Sequence, residues 1–295
     1  MKSGFISIIG RPNVGKSTLL NAVIGEKVAI TTDKPQTTRN VIRGIYTDAV
    51  NETQMVFIDT PGIHKPKNRL GSYMTDSALG TFDEVDAILF LVDDVMESGT
   101  GDKYIVDLLK KTKTPKYLVI NKMDLMGPDK YAKIFSEYDE LGIFEDIFGV
   151  SVLKGTNVTD ITKTLGGLMP EGPMFFPADM MTDYPERFLV SEIIREKTLL
   201  YLNEEVPHGI AVVVEKFEEK DDIDDISAVI YCEKKSHKGI IIGKGGRKLK
   251  GIGKAARVEI EALLGCRVYM ELWVKVKENW RDSAAAMANF GYKDM

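Results

Sequence analysis

Gly10-Arg11-Pro12-Asn13-Val14-Gly15-Lys16-Ser17-Thr18, GRPNVGKST, decides the reading of the N-terminal half of the chain. It fits the pattern Gly, four residues, Gly, Lys, then Ser or Thr. Before it, Phe5-Ile6-Ser7-Ile8-Ile9 is short and apolar, as a buried strand is. After it, Leu19, Leu20, Val23 and Ile24 recur at helical spacing. Strand, glycine loop and helix together make a phosphate cradle. Gly10 and Gly15 let the backbone curl its N–H groups inward, and the helix N-terminus adds partial positive charge. Lys16 is placed to reach β- and γ-phosphates, and the Ser17 hydroxyl to bind Mg²⁺.

Outward from this loop, buried strands alternate with helical stretches. Met55–Ile58 ends in Asp59-Thr60-Pro61-Gly62, Ala87–Val92 ends in Asp93, and Tyr117–Ile120 ends in Asn121-Lys122-Met123-Asp124. Val41–Tyr46 alternates like an edge strand, Asp102–Lys111 reads as a helix, and a helix from about Asn157 to Leu168 closes the unit. This order predicts an α/β domain with a mainly parallel sheet covered by helices on both faces. The polar motifs fall just beyond strand ends, where ligands bind in such sheets.

N-K-x-D selects guanine. A carboxylate at Asp124 accepts from the N1–H and the exocyclic amine of guanine, whereas adenine offers an acceptor and no amine there. Asn121 bridges base and glycine loop, and the Lys122 stem covers the ring. Asp59 brings a carboxylate to the metal, and Gly62 an N–H to the γ-phosphate. Thr38, in the polar stretch Lys27–Asn40, is a candidate Mg²⁺ ligand that orders with the γ-phosphate, with Thr37 as its rival.

The composition is that of a globular protein, 295 residues with 44% hydrophobic and 28% charged, and long enough for two domains. Neither a signal peptide nor a membrane span is read. Two distant cysteines, Cys232 and Cys266, read as reduced thiols, and three scattered histidines exclude a dedicated metal cluster. A cytoplasmic setting is expected. Net charge is −5, yet Lys234–Arg257 holds nine Lys or Arg and no acid, so the rest of the chain carries −14. A basic patch on an acidic protein is a nucleic-acid footprint.

Met169–Pro185 carries four prolines and reads as a linker or a wrapped connection. The expected division is a domain over 1–170, a linker over 171–185 and a second domain over 186–295. The second has the order helix, strand, strand, helix, helix, strand, with an acidic turn at Asp221–Asp225. Gly243-Lys244-Gly245-Gly246 fits G-x-x-G and opens a helix with Arg247, Lys248, Lys250, Lys254 and Arg257. In a K-homology module such a loop clamps about four single-stranded nucleotides. Ile241 and Ile242 are the expected apolar wall against bases. Ala284-Ala285-Ala286 reads as a short terminal helix.

These residues resemble the translation-factor-related GTPases, and GRPNVGKST with PQTTR and DTPG resembles the Era branch. The second domain is similar to the type II K-homology fold, an α+β fold, as in that branch. The resemblance implies a GTP-hydrolysing switch with GTP or GDP and Mg²⁺, bound to the 3′ end of small-subunit ribosomal RNA in subunit maturation. It implies that Ser151-Val152-Leu153 offers a backbone N–H to guanine O6, although Val152 departs from the usual Ala. A Ras-type Gln would orient water after the DxxG glycine, but Ile63 stands there. Relatives with an apolar residue at this point bring the polar group from elsewhere, some as K⁺ held partly by an Asn, here Asn13. Lys16, Thr38 and Asn13 are therefore the expected catalytic set, with His64 a loop residue. A monomer is expected. The alternative from another class is a membrane-linked GTPase peripheral at the inner face of the cell membrane. A third reading is a binding module that does not turn GTP over.

Overall fold

A computed structural model describes residues 1–94, 100–202 and 206–292. Residues cluster into two compact units. One holds 1–31, 38–66 and 71–183; the other holds 32–37, 67–70 and the chain from Tyr184 onward.

In the first unit the elements run β1 (Lys2–Gly10), α1 (Lys16–Ile24), β2 (Ile42–Asp48), β3 (Thr53–Asp59), α2 (Arg69–Gly80), β4 (Ala87–Val92), α3 (Thr100–Leu109), β5 (Lys116–Ile120), α4 (Pro128–Asp139), β6 (Asp146–Gly149) and α5 (Val158–Leu168). The sheet order is β2-β3-β1-β4-β5-β6, with only the β2–β3 pair antiparallel. Strands covered on both faces must be apolar throughout, and every residue of β3, β4 and β5 is buried. α2 and α4 had no sequence expectation. One core layer packs Ile9, Ile88, Phe90 and Leu118 of the sheet against Phe82, Ile105, Leu109, Ile134 and Tyr138. Since β1, β4 and β5 run parallel, Gly10, Val92 and Ile120 end side by side, and the loops that follow them converge.

The proline-rich stretch is a wrapped connection that lies along this unit. Ser3 N donates to Pro170 O, Ile45 N to Met181 O at 2.8 Å, and Arg43 pairs with Asp183 at 2.6 Å. Its clamp is Gln54, which has no exposed surface. Gln54 Oε1 accepts from the N–H groups of Phe175 and Phe176, and Nε2 donates to Phe176 O at 2.9 Å. The strap covers the open edge of β2, whose unpaired backbone groups would otherwise invite another strand.

The second unit runs α6 (Glu186–Leu200), β7 (Ala211–Glu218), β8 (Ile223–Cys232), α7 (Lys235–Ile242), α8 (Arg247–Leu264), β9 (Arg267–Val276) and α9 (Ala284–Asn289). This is the expected helix and strand order. The sequence pattern His208–Phe217 suggests a strand that β7 takes up only from Ala211, because Pro207–Gly209 forms a single 3-10 turn. The acidic run is not all turn: Asp224 and Asp225 lie in β8, Asp224 is buried, and Asp225 pairs with Lys216 at 2.6 Å. The sheet order is β7-β8-β9, antiparallel then parallel. α6, α7 and α8 bury Ile194, Ile241, Ile252, Ala256 and Ile260 against it. Among the described residues no helix is long and apolar enough to cross a membrane.

Replacing Gln54 with Leu leaves two strap N–H groups without their acceptor, each costing about 1–3 kcal/mol if it stays buried. The urea midpoint of Gln54→Leu should fall correspondingly; an unchanged midpoint would show that the strap holds without its clamp.

Candidate nucleotide site and nucleic-acid groove

The loops after β1, β3, β4, β5 and β6 gather the sequence-predicted residues. Lys16 opens α1, is 6% exposed, and donates from Nζ to the carbonyls of Arg11 at 2.9 Å and Gly10 at 3.2 Å. Burial lowers its pKa to about 8, against the opposing pull of Asp59 and Asp93. Ser17 Oγ donates to Asp59 Oδ2 at 2.6 Å and lies 2.8 Å from Thr38 Oγ1, which reaches the same carboxylate oxygen at 3.2 Å. Thr37 is turned elsewhere, toward Thr32 and the Lys34 carbonyl. Thr38, and not Thr37, therefore stands with Ser17 and Asp59, a distinction that adjacent threonines in a polar stretch do not carry.

Two hydroxyls and a carboxylate suit Mg²⁺, which takes hard oxygen ligands. Asp59 Oδ1 is buried without a hydrogen-bond partner, an acceptor that a cation or its water would satisfy. Burial raises the Asp59 pKa to about 6, offset by Lys16 and by the bonds from Ser17 and Thr38. Thr60 Oγ1 donates to Ile8 O, and Ile63 N donates to Gly10 O at 3.1 Å, which seats Pro61 and Gly62, both buried, against the glycine loop. Ile63 has no exposed surface and belongs to the core, so it takes no part in orienting water. His64 Nδ1 lies 2.9 Å from Gly62 O, a loop contact.

Asn121 organises the base side. Its Nδ2 donates to Val14 O at 2.9 Å, and its Oδ1 accepts from the N–H groups of Lys122 and Val152. A Cβ at Gly15, where φ is +103°, would run into Asn121 Nδ2, so this close approach requires glycine. Asp124 is exposed and held by Ser151 Oγ at 2.5 Å, which aims the carboxylate. Lys122, in a left-handed conformation, donates from Nζ to Asn13 O at 2.9 Å and pairs with Asp93 at 2.6 Å. Leu153 is exposed at the rim. Pro12, Asn13 and Thr18 lie in the loop and the first turn of α1, as the motif places them. Asp93 was legible only as a carboxylate at a strand end, with no signal of its partner.

In the second unit Gly243, Gly245 and Gly246 have φ of +71°, +62° and +76°, and the loop joins α7 to α8. Lys244, Gly245, Lys250 and Lys254 line its exposed and half-buried surface with Arg247 and Lys248. Ile241 is a correction. It is fully buried beneath α8 and fills the core, so it cannot meet a base; Ile242 packs against the same core. Apolar side chains do line a groove nearby: Leu249, Met270 and Leu272, with Gly246, Gly253, Lys250, Lys254 and Arg257, border a cavity of about 460 Å³ between α8 and β9. Leu249 and Gly253 are four apart on one helix face, a spacing visible in the sequence once the helix direction is known.

Fold and site together define a guanine-nucleotide P-loop domain followed by a K-homology domain. The 50S ribosome-binding GTPase family matches residues 5–122, and the KH domain family matches residues 205–281. GTPase Era of Clostridioides difficile is 57% identical over 296 residues and that of Alkaliphilus metalliredigens 55% over 294, each covering 99% of both chains. Two solved structures align over 100% of both chains with a TM-score of 0.93: Aquifex aeolicus Era, as a variant bound to GDP·AlF4⁻, at 40% identity, and Era with MgGDPNP and nucleotides 1506–1542 of 16S ribosomal RNA at 41%. The chain belongs to the Era family of GTPases.

Two outcomes follow from the site. Asp124→Asn should lose GTP affinity and gain xanthosine triphosphate affinity, because the C2 carbonyl of xanthine accepts where guanine donates; fluorescence titration of both nucleotides reads this, and unchanged GTP affinity would remove Asp124 as the base reader. For Asp59 the folded pKa lies above the unfolded one. Its contribution to stability is complete below about pH 4 and is lost as pH rises through about 6. Without nucleotide or Mg²⁺, Asp59→Asn should therefore gain stability over wild type between pH 4.5 and 7.5, by about 2–3 kcal/mol, measured by urea unfolding.

Proposed function

We propose that this protein is a cytoplasmic, monomeric GTP-hydrolysing switch that binds the single-stranded 3′ end of small-subunit ribosomal RNA during assembly of that subunit. The observation that carries the reading is the meeting of Ser17, Thr38 and Asp59 at 2.6–3.2 Å. Thr38 sits in the stretch between α1 and β2, so this oxygen cluster ties a polar connecting segment to the phosphate site. A γ-phosphate there holds the segment through Thr38; its loss releases it.

The chain's own groups supply the chemistry. Backbone N–H groups of 10–18 and the N-terminus of α1 hold the phosphates, Lys16 neutralises charge between β and γ, and Asp124 with Asn121 excludes other bases. Mg²⁺ on Ser17, Thr38 and Asp59 would neutralise charge developing on the phosphoryl oxygens. With Ile63 in the core, the polar group that the apolar residue cannot supply is assigned to K⁺ held partly by Asn13, whose φ of +67° turns the loop at that residue. Hydrolysis should rise several-fold when K⁺ replaces Na⁺, and Asn13→Ala should abolish the rise. Equal phosphate release in both salts would exclude the potassium site.

RNA meets the loop at 243–246 and the groove beside it. The phosphate chain passes glycines and a helix N-terminus, while bases reach Leu249, Met270 and Leu272 below a basic rim. Replacing Lys244 and Gly245 by Asp should abolish RNA binding and leave GTP affinity unchanged, since it sets two carboxylates in the phosphate path and an L-residue at φ +62°. Wild-type affinity should fall with salt at a log-log slope of about −0.7 per neutralised phosphate. Capture by anionic liposomes in flotation, without RNA crosslinking, would overturn the RNA assignment in favour of a membrane surface.

A further inference from the structure

Arg11, the second residue of the phosphate loop, is held by two carboxylates from different elements. Its Nε lies 2.7 Å from Asp102 Oδ2 in the first turn of α3, and its second terminal nitrogen lies 3.2 Å from Asp93 Oδ1 at the end of β4. Asp102 is 1% exposed, and the Tyr138 hydroxyl of α4, itself fully buried, sits beside it. A Cβ at Gly101 would stand 2.7 Å from Arg11 Cδ, so α3 starts in direct contact with the arginine stem. The other oxygen of Asp93 takes Lys122 Nζ at 2.6 Å, and the same Nζ donates to Asn13 O. The contacts close a ring: Arg11 to Asp93, Asp93 to Lys122, Lys122 to Asn13, and Asn13 back along the loop to Arg11. Arg11 also presents its carbonyl to Lys16.

Such a cluster is poorly explained by stability. Desolvating a carboxylate and a guanidinium offsets most of their attraction, and apolar residues of similar size commonly do as well. What the ring supplies is geometry. It fixes the phosphate loop at two points, one side chain and one carbonyl, to the strand end that carries the base reader.

Resting on the nucleotide-site reading above, we propose that Asp102 is a positioning residue for nucleotide binding, which by fixing Arg11 holds the phosphate loop in register with the guanine loop. It touches neither phosphate nor base and acts through Arg11 alone. Its removal loosens GDP and GTP alike, because both use the same α- and β-phosphate cradle, and leaves the γ-phosphate chemistry intact.

The test is a double-mutant cycle on nucleotide dissociation from the full chain, using a fluorescent GDP and a fluorescent non-hydrolysable GTP analogue. Asp102→Asn keeps the side-chain shape and removes its charge. Dissociation of both nucleotides should rise about tenfold, with kcat at saturating GTP within twofold of wild type. In an Arg11→Met background, adding Asp102→Asn should change dissociation less than twofold, since the group it acts through is gone. A merely structural role would lower the unfolding midpoint and shift dissociation equally in both backgrounds; that additive result overturns the proposal, as does an Asp102→Asn protein that is folded and holds GDP like wild type. If Asp102→Asn does not fold, Arg11→Met and Arg11→Lys decide, with dissociation about tenfold faster expected for Met and an intermediate value for Lys, which cannot span both carboxylates; wild-type rates in both would overturn it. Wild-type protein that fails to bind GDP would instead refute the nucleotide-site reading itself.

Discussion

Asn121 is the side chain on which the nucleotide site depends. One amide joins three loops: its nitrogen is spent on Val14 of the phosphate loop, its oxygen on Lys122 of its own loop and Val152 of the next. The residue is 3% exposed, so each of these bonds is shielded from competing water. The parallel register makes this possible, because β1, β4 and β5 end at a common level and deliver their loops to one place. Gly15 is the complementary concession. Only a residue without a side chain lets the loop approach the amide this closely.

Around that joint the protein buries an opposite pair of charges whose desolvation outweighs their mutual attraction. Asp59 and Lys16 are both shielded, and their pKa values move toward each other, to about 6 and about 8. An isolated buried charge would be strongly destabilising. Here the carboxylate takes two hydroxyl donors and faces an ammonium, so the site is held ready for a larger anion and its metal at the expense of the unliganded fold. This arrangement suits a switch, in which the ligand supplies part of the stability and its identity selects the conformation.

The second unit uses the same physical device in a more open form. Left-handed glycines again lead into the start of a helix, α8, but the flanking surface is basic and a groove runs beside it. An open groove with charge along one side suits a chain that must enter from its end or its flank.

The sequence alone determined the motifs, the alternation of strand and helix and the basic tract, because these are local: periodicity and ordered spacing survive without knowing where the chain turns. It also set the expectation of guanine, since an Asp in N-K-x-D carries its hydrogen-bonding logic with it. Tertiary structure decided what depends on direction. Thr37 and Thr38 are indistinguishable in sequence, yet one faces Asp59 and the other Thr32. Ile241 reads as a wall for bases and is core, because α7 turns that side chain inward, while the apolar groove lies between α8 and β9. The stretch at 170–183 reads as a linker or a wrapped connection, and the sequence does not choose between them, since the glutamine that binds it lies more than a hundred residues away in a buried strand. Arg11, Asp93 and Asp102 read as three unrelated charges. Only the parallel sheet, by ending β1 beside β4 and starting α3 over the loop, made them one cluster.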